Sequence, residues 1–483
     1  MPYTNREERR IMKKTKIAFL QKDWEDNLGI LWISAVLRKH DFKTEIWVER
    51  NDTYRDLLRF SPDVVCYSCI TGSQKWIYSS ISKIKLSGIK TKFIVGGPHV
   101  TFYPEFINNP FITAICRGEG EEAMLEYAQA LDDAKEPYGI KNFYFNLNGE
   151  IIKNEVRPLI GDLDTLPFPD RSYYNKYKFL ATNPYKIFIT SRGCPFDCTF
   201  CFNHTLKRLY GSASLYVRRH SAGYVIRELL YVRQQWGIEE VRFSDDHFAL
   251  DARWLKDFTE AYQKEINRPY SINARVDVLD EERIYMLKRS GCRLVCFGIE
   301  TGREDLRNKI LKKNIKDEQI IQTAKLLRKY KIKFLASNII GLPNETVDDA
   351  WKTIEINQKI RTDLPWFSMM QYYPGTEIYT YAKEQGLLSD KYNLDEVGGY
   401  FKNNYLQQEN IGQLQNIHSF SILVSRYKVL GPLFKFFAVR FKPNLIFRSI
   451  FKLSYLCLTL KRAHISIWRI LWWWKYYFAG ISK

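Results

Sequence analysis

The chain has few cysteines, and its amino terminus lacks the long apolar run of a secretory signal. Nine cysteines among 483 residues are too few for a secreted scaffold held together by disulfides. The opening residues MPYTNREERRIMKKTK are charged, and no apolar run follows them. These absences predict a cytoplasmic protein whose thiols are free or bound to metal, and the length predicts two or three domains.

Acidic residues are also missing from one end of the chain. The last one is Glu409, and residues 410–483 carry twelve lysines and arginines without an aspartate or glutamate. The rest of the chain is nearly balanced, with 61 basic and 54 acidic residues. The sequence therefore divides into a nearly neutral body and a basic tail that is rich in aromatic residues.

What the body does contain is a repeated alternation of short apolar runs with helical stretches. In the amino-terminal part this alternation predicts a doubly wound α/β fold, with a ligand site at the carboxyl ends of parallel strands. The loops at those ends, 68–74, 96–102 and 117–122, are rich in glycine and small polar residues that let a bulky planar ligand approach the backbone. Ordinary glycine turns are the alternative. The predicted strands are 16–20, 43–48, 63–68, 91–97 and 114–122.

A second alternating series follows a predicted hairpin at 142–154 and a linker that contains LPFPDR. Its six strand and helix units form most of a TIM-type barrel without closing it, and active sites in such barrels lie at the carboxyl ends of the strands. The predicted strands are 186–191, 239–244, 270–275, 293–298, 332–339 and 366–372.

Three of the nine cysteines lie within eight positions, in SRGCPFDCTFCFN after the first strand of this series. Cys194, Cys198 and Cys201 can converge on one soft-metal centre, but a single zinc ordinarily takes four ligands, and none follows at zinc-finger spacing. A cubane iron–sulfur cluster normally takes four thiolates. Three thiolates would leave one iron open to a small chelating ligand. Chance clustering is the alternative.

The cysteine segment resembles the signature of the radical S-adenosylmethionine (SAM) enzymes, C-x-x-x-C-x-aromatic-C, with Phe200 as the aromatic residue. Further segments typical of that family follow in the same order, namely RFSDDHF, NARVDVL, FGIETGREDL, NIIGLPNET and YYPGTEIY. The resemblance implies a [4Fe–4S] cluster on the three cysteines, with Phe200 packed beside it. It also implies contacts to SAM, for which barrel-rim salt bridges are the alternative. The residues concerned are Asp245, Asp246, Arg275 and Glu300.

The amino-terminal domain resembles the cobalamin-binding module of one large radical SAM group, through VGGPHVTFYPE (95–105) and RGEGEEAMLE (117–126). The D-x-H-x-x-G motif that elsewhere supplies a histidine to cobalt is absent, because the corresponding loop, 21–30, has no histidine. The resemblance implies either cobalamin held without a protein nitrogen ligand or a relic domain that binds nothing. For His99 an ordinary loop histidine is the alternative. The implied cobalamin-side residues are Ser68, Thr71, Gly96, Gly97, His99 and Glu119.

The predicted organisation has four segments. A Rossmann-like cobalamin-binding domain spans 1–135, a hairpin and linker span 136–184, a partial (βα)6 radical SAM barrel spans 185–385, and a helical basic region spans 386–483.

The tail does not fit a transmembrane helix, which needs about 20 mostly apolar residues. Its best window, 463–481, is interrupted by His464, Arg469 and Lys475. An interfacial helix, with its tryptophans at the lipid headgroups, and a helical cap over the barrel mouth are both compatible with this composition. An RNA-binding appendage is a third alternative, but no nucleic-acid motif accompanies the charge.

The predicted activity is that of a cobalamin-dependent radical SAM methyltransferase. It would act on an unactivated carbon of a small metabolite or lipid-like substrate through a 5′-deoxyadenosyl radical. The alternative is cyclisation, rearrangement or oxidation without methyl transfer, with a cobalamin domain that has lost its function. The implied partners are the substrate, a reductant such as flavodoxin or ferredoxin and, through the tail, the inner face of a membrane. Nucleic acid is not an expected partner.

Overall fold

The chain forms two compact units. The first comprises the described part of Met1–Arg157 together with Leu166–Lys176, and the second comprises Pro158–Thr165 and the described part of Tyr177–Gly480. Each contains one large sheet, which confirms the predicted α/β class. The four segment boundaries stay predictions. The residues that the computed structural model describes are 14–50, 52–211, 216–389, 392–394 and 405–463.

The first unit is a seven-stranded sheet flanked by helices. Its strands are β1 (Lys16–Gln21), β2 (Lys43–Val48), β3 (Val64–Ser68), β4 (Lys92–Gly96), β5 (Ala114–Cys116), β6 (Phe143–Leu147) and β7 (Glu150–Lys153). Its helices are α1 (Leu28–Lys39), α2 (Thr53–Phe60), α3 (Gln74–Leu86), α4 (Pro98–Phe102) and α5 (Glu121–Asp132). The strand order is β2-β1-β3-β4-β5-β6-β7. The first five strands are parallel, and the hairpin of β6 and β7 extends the sheet antiparallel to β5.

Burial explains why the strands of this unit are almost continuously apolar. Helices cover both faces of a doubly wound sheet, so every side chain of a central strand is removed from water. In β1, for example, Ile17, Ala18, Phe19 and Leu20 are all buried. The first four predicted strands of this domain are therefore found where the apolar runs placed them. The fifth, predicted at 114–122, is too long, because β5 ends at Cys116 and α5 begins at Glu121.

The segment Leu166–Lys176 returns to the first unit and packs along the edge strand β2. The hydroxyl of Tyr173 forms a hydrogen bond with that of Thr44, and the ammonium of Lys176 lies 2.7 Å from the carboxylate of Glu45. The Lys176 side chain also lies over the ring of Trp47. Among the described residues β2 pairs with no strand other than β1, and this segment covers its other edge.

The second unit contains a six-stranded parallel sheet in the order β15-β14-β13-β12-β11-β8. Its strands are β8 (Tyr185–Phe188), β9 (Ser191–Arg192), β10 (Arg218–Arg219), β11 (Glu240–Phe243), β12 (Tyr270–Asn273), β13 (Cys292–Glu300), β14 (Lys333–Ile340) and β15 (Leu364–Met369). The short strands β9 and β10 form a separate antiparallel pair. In the part of the chain that the structure describes, β8 does not pair with β15, so the barrel is partial as predicted.

Helices alternate with the barrel strands, and four of them start at a residue whose side chain caps the first turn. The helices are α6 (Lys178–Ala181), α7 (Phe202–Leu209), α8 (Ala222–Trp236), α9 (Ala252–Glu265), α10 (Glu281–Arg289), α11 (Asp317–Lys329), α12 (Val347–Lys359), α13 (Glu377–Glu384), α14 (Ile411–Arg426), α15 (Gly431–Arg440) and α16 (Leu445–Ala463). The side chains of Ser221, Asp251, Asp280 and Thr346 accept a backbone N–H in the first turn of α8, α9, α10 and α12, which satisfies donors that a helix start leaves free.

The carboxyl-terminal helices pack against the end of this sheet. Leu414, Ile417 and Phe420 of α14 share an apolar cluster with Phe367 and Met369 of β15. No helix among the described residues is both long and apolar enough to cross a bilayer. The predicted interfacial helix at 463–481 lies outside the described residues, apart from its first position.

Candidate functional site

The three clustered cysteines lie in the loop between β9 and α7, at the carboxyl end of the first barrel strand. Gly193 opens this loop in the left-handed region (φ +86°), and a Cβ there would lie 2.4 Å from the carbonyl oxygen of Tyr216. No other residue type fits such a position without displacing the backbone. Further on, the amide of Cys201 donates to the carbonyl of Cys198 at 3.1 Å. The loop is thus a set of tight turns that brings the thiols to one place.

The thiol of Cys198 is buried and those of Cys194 and Cys201 are half-buried, and burial disfavours the ionised form of a thiol. It raises the pKa of Cys194 to about 12, and the nearby carboxylate of Asp246 and the other two thiols add to the effect. Burial also raises the pKa of Cys201, although the side-chain amide of Asn203 donates to its Sγ at 3.7 Å. Without a metal these cysteines therefore hold their protons, and metal binding has to displace them.

Two cations lie near the thiol of Cys198. Burial raises the pKa of Cys198, while Lys313 and Arg275 lower it. Nη1 of Arg275 donates to the Cys198 sulfur at 3.7 Å, and the guanidinium lies 3.6 Å from the ring centre of Phe196 in the cysteine loop. These contacts place positive charge and an N–H donor against a sulfur, which favours a bound thiolate.

The predicted SAM residue Arg275 has most of its donors taken up by protein. Its Nε and Nη2 atoms donate to the carboxylate of Asp277 at 3.0 and 2.8 Å, and Nη2 also donates to the carbonyl of Lys313 at 2.7 Å. Because the side chain is buried and so fully engaged, its position is fixed before any ligand arrives.

Glu300, at the end of β13, pairs with Lys313, and the two charged groups are 2.5 Å apart and buried. Glu300 adopts a left-handed conformation (φ +65°). A Cβ at Gly298 would lie 1.8 Å from the Glu300 carboxylate and 2.7 Å from the Lys313 ammonium. The missing side chain of Gly298 therefore makes room for this buried ion pair.

The two adjacent aspartates after β11 differ in their surroundings. Asp245 is buried and accepts hydrogen bonds from the amide and hydroxyl of Thr190, at 3.0 and 2.7 Å, and from the hydroxyl of Ser191. The Asp246 side chain reaches solvent, but many protein atoms lie around it. They remove part of its hydration, and this desolvation raises its pKa. Asp245 therefore fastens β11 to the strand that precedes the cysteines, whereas Asp246 keeps a carboxylate directed at solvent beside the thiols.

Phe200, the predicted aromatic neighbour of the cluster, is half-buried between Thr199 and Cys201. It packs against an apolar cluster that includes Leu311, Met370 and Tyr372, and the ammonium of Lys313 lies 6.0 Å from its ring centre. The side of the cysteine loop that carries Phe200 is thus held by the barrel wall.

The six predicted cobalamin-side residues lie at or just after the carboxyl ends of strands β3, β4 and β5, so the structure brings them to one edge of the first sheet. Gly97 has φ +94°, and a Cβ there would lie 2.8 Å from both the amide nitrogen and the carbonyl oxygen of Cys69. The amide of His99 donates to the same carbonyl at 3.0 Å. The turn at Gly97 is therefore packed closely on the backbone of Cys69. The predicted residues are Ser68, Thr71, Gly96, Gly97, His99 and Glu119.

His99 is a buried member of this group. Its Nδ1 atom is 3.0 Å from the hydroxyl of Thr71, and its Nε2 atom has no hydrogen-bond partner among the described residues. Burial lowers its pKa to about 4, so the imidazole is neutral at physiological pH. A neutral imidazole with one free nitrogen can still accept or donate one hydrogen bond.

The loop that corresponds to the missing histidine motif has a different set of contacts. The hydroxyl of Tyr174 donates to the side chain of Gln21 at 2.8 Å and accepts from the amide of Asn27, and Arg171 pairs with Asp26 at 3.2 Å. This loop offers no imidazole to a metal.

Comparison with known proteins adds two family matches. Residues 188–356 match the model of the radical SAM superfamily, and residues 20–128 match that of the B12 binding domain. An uncharacterized methyltransferase of Pyrococcus horikoshii is 32% identical over 375 residues, which make up 75% of this chain and 79% of that protein. The chain belongs to the cobalamin-binding radical SAM enzymes.

Further relatives of this radical SAM enzyme differ in their reactions. An anaerobic magnesium-protoporphyrin IX monomethyl ester cyclase of Rubrivivax gelatinosus is 26% identical over 72% of this chain and 65% of the cyclase. The solved structure of the cobalamin-dependent SAM radical enzyme OxsB, with aqua-cobalamin and SAM bound, matches with a TM-score of 0.70 over 93% of this chain and 72% of that chain, at 17% identity. The fold is therefore shared with a protein that holds both ligands.

The cofactors of a radical SAM enzyme with this domain are a [4Fe–4S] cluster, SAM and cobalamin. Among the residues described, no three side chains of the Cys, His, Asp and Glu types are placed to bind one metal ion. A cubane makes a different demand, because each thiolate binds a separate iron. Three thiols with N–H donors at two of the sulfurs fit that demand. On the cobalamin side, the buried Nε2 atom of His99, which has no hydrogen-bond partner among the described residues, fits a ligand with polar groups.

Sequence reasoning missed two side chains at this site. Lys313 follows a short π-helical segment, and nothing in its local sequence indicates a pairing with Glu300. His247 is buried and stacks on Phe196, and neither ring nitrogen has a hydrogen-bond partner within the described ranges. Its position two residues after Asp245, in RFSDDHF, is the one signal that could have identified it.

Proposed function

We propose that this enzyme transfers a methyl group to an unactivated carbon of a small metabolite or lipid-like substrate. One observation carries the proposal: a three-thiol loop and a B12 binding domain occur in a chain that is 32% identical to an uncharacterized methyltransferase. When bound, the cluster and SAM supply a 5′-deoxyadenosyl radical, and cobalamin supplies the methyl group.

The residues around the thiols take different parts in this proposal. Cys194, Cys198 and Cys201 hold the cluster. The exposed carboxylate of Asp246 accepts the ammonium of SAM, because an ammonium group needs acceptors and this oxygen pair faces solvent beside the thiols. Arg275 acts on Cys198 through its N–H donor and its positive charge.

Two of the residues predicted to contact SAM instead hold other protein groups in position. Asp245 fixes the end of the first barrel strand through Thr190 and Ser191. Glu300 holds Lys313 near Cys198 and the cysteine loop. Both carboxylates are buried and paired, so their charge orders protein groups around the site rather than facing an incoming ligand.

On the cobalamin side, the loops after β3, β4 and β5 receive the ligand. Gly96 and Gly97 allow its ring system to approach the backbone, while Ser68, Thr71 and Glu119 supply polar atoms at the rim. His99 is fixed by Thr71. Because loop 21–30 carries no histidine, it gives no nitrogen ligand to cobalt.

A second candidate function is cyclisation, rearrangement or oxidation without methyl transfer. The observation that favours it is the 26% identity to a magnesium-protoporphyrin IX monomethyl ester cyclase. The same thiol loop and the same buried carboxylates serve this chemistry. Cluster binding and SAM cleavage come before the step at which the two candidate reactions differ. In either case we propose a cytoplasmic enzyme that is reduced by flavodoxin or ferredoxin.

Anaerobic reconstitution distinguishes the candidates. The protein is supplied with iron, sulfide and cobalamin, desalted, and then given SAM and a reductant. Retained cobalamin together with 5′-deoxyadenosine and S-adenosylhomocysteine is the expected result. Formation of 5′-deoxyadenosine alone would favour the second candidate, and loss of cobalamin on desalting would contradict methyl transfer.

The ligand assignment is tested by Cys198→Ala. We expect this variant to lose the cluster. The iron content should then fall from about four atoms per chain to a trace, and SAM cleavage should stop. Cys457→Ala removes an exposed thiol outside the cysteine loop and should leave the iron content unchanged. Iron and cleavage that survive in Cys198→Ala would refute the assignment.

A further inference from the structure

Large apolar side chains that face solvent are concentrated in one short stretch of the second unit. Among the described residues, ten of seventeen lie between Tyr427 and Leu456. Single exposed apolar side chains are ordinary, but a concentration of them in one stretch of the chain is of the kind that marks an interaction surface. We call this group the apolar face. Its members are Tyr427, Val429, Leu433, Phe436, Val439, Phe441, Leu445, Ile446, Leu453 and Leu456.

Helix α16 shows that the apolar face is not a loosely packed core. Its Phe451 and Leu458 are buried in the apolar cluster that also holds Leu414 and Phe420 of α14. On the opposite side of the same helix, Leu445 is 77% exposed and Ile446 72% exposed. A surface helix ordinarily has polar residues on the side away from the core, so α16 has an inner and an outer apolar face.

The segment that carries the apolar face has charged residues of one sign only. Residues 427–456 contain six lysines and arginines and no acidic residue. Lys435 pairs with Asp348 at 2.9 Å and lies over the ring of Trp351, which holds α15 against α12. The other five basic side chains are exposed, namely Lys428, Arg440, Lys442, Arg448 and Lys452.

We propose that the apolar face docks on the surface of an anionic lipid bilayer. Apolar side chains enter the boundary between headgroups and acyl chains, and the surrounding lysines and arginines meet the lipid phosphates. An anionic bilayer surface binds proteins that combine exposed aliphatic side chains with positive charge. This proposal is independent of the reaction that the barrel performs.

Two other occupants fit the apolar face less well. A second copy of the chain would bring exposed cations of equal sign together, which opposes association. Single-stranded RNA is bound by aromatic platforms between cations, whereas seven of the ten apolar members are aliphatic. Lipid uses both the aliphatic side chains and the charge.

The test is co-sedimentation of the full-length reconstituted protein with lipid vesicles. Mixed phosphatidylglycerol and phosphatidylcholine vesicles should bind the protein, and pure phosphatidylcholine vesicles should bind it much less. Lys442→Gln/Lys452→Gln should weaken binding to the mixed vesicles by about fivefold for each charge removed. Equal binding to both vesicle types would overturn the electrostatic half of the proposal.

Leu445→Gln/Ile446→Gln tests the apolar half. We expect a loss of about a hundredfold in partitioning, because two apolar side chains no longer leave water. Leu86→Gln is the matched control, since Leu86 is 88% exposed on α3 of the first unit, and it should bind as the unmodified protein does. Circular dichroism checks that each variant is folded.

Three outcomes would overturn the proposal. The first is binding that is unchanged in Leu445→Gln/Ile446→Gln. The second is a dimer in sedimentation velocity that this variant abolishes while vesicles bind no protein, because the apolar face would then be an interface between two copies. The third is tighter binding to a single-stranded RNA than to the mixed vesicles.

Discussion

At the scale of single residues, Glu345 shows what burial does to a carboxyl group. It lies in the segment NIIGLPNET after β14, where its Oε2 atom accepts the amides of Gly341 and Leu342. Its Oε1 atom has no hydrogen-bond partner among the described residues. Burial raises its pKa to about 8, and the two amides only partly oppose this. The side chain is therefore neutral in the folded protein at physiological pH.

Glu345 should make folding stability fall as the pH rises. An unfolded glutamate has a pKa near 4.5, so the folded protein binds this proton more tightly than the unfolded chain does. The contribution is complete below pH 4.5 and is lost as the pH rises to about 8. Glu345→Gln is neutral throughout. As the pH rises through this window, the free energy of unfolding of Glu345→Gln should therefore increase relative to that of the unmodified protein, by up to about 1.4 kcal/mol per pH unit.

Urea unfolding of both proteins at a series of pH values measures this difference. Glu318→Gln, which changes an exposed carboxyl of α11, serves as the control and should not reproduce the trend. A difference between Glu345→Gln and the unmodified protein that stays constant from pH 4.5 to 8 would show that the Glu345 carboxyl is ionised in the fold.

At the scale of elements, the turn from β4 to α4 combines backbone strain with close approach. Gly97 has φ +94° and faces the backbone of Cys69. Gly149, in the hairpin between β6 and β7, has φ +103°, but a Cβ at that position would have no atom within 4 Å. The two glycines thus share the conformational requirement, and only Gly97 adds a steric one.

Alanine at these positions should separate the two effects. Gly149→Ala should cost about 1–2 kcal/mol of unfolding free energy, from the left-handed conformation alone. Gly97→Ala should cost about 1–3 kcal/mol more, because its Cβ meets backbone atoms that cannot rotate away. It should also weaken cobalamin binding, as measured by retention on desalting. Equal costs for the two variants would mean that the turn at Gly97 relaxes freely.

The sequence predicts elements better than it predicts their contacts. Apolar alternation located the strands of both sheets because helices bury each strand on both faces. It could not show that Lys313 pairs with Glu300, since thirteen positions separate them and only the fold brings them together. It also placed Tyr173 and Lys176 in a linker, although they pack on β2, because a short polar segment carries no periodicity that indicates its partner.

At the scale of the whole molecule, each unit has its own apolar core. The first core includes Ile77, Ile81 and Val95, and the second includes Phe243, Phe258 and Tyr270. Units with separate cores can unfold in separate steps. Differential scanning calorimetry is therefore expected to show two transitions, of which Gly149→Ala lowers the one that belongs to the first unit.

Cobalamin should raise that same transition. A ligand that binds only the folded state stabilises it by about 2.7 kcal/mol at a concentration 100 times its dissociation constant. The other transition should not move when cobalamin alone is added. A single transition, or an upward shift of both, would show that the two units unfold together.

The packing of Leu166–Lys176 along β2 has a consequence for isolating the first unit. An uncovered edge strand is a template on which another chain can add a strand, and natural sheets block such edges. A truncated chain that ends at Arg157 retains all seven strands but loses Tyr173 and Lys176, and with them the cover of β2. The fragment is then expected to polymerise through that open edge. A soluble excised domain has to extend through Lys176.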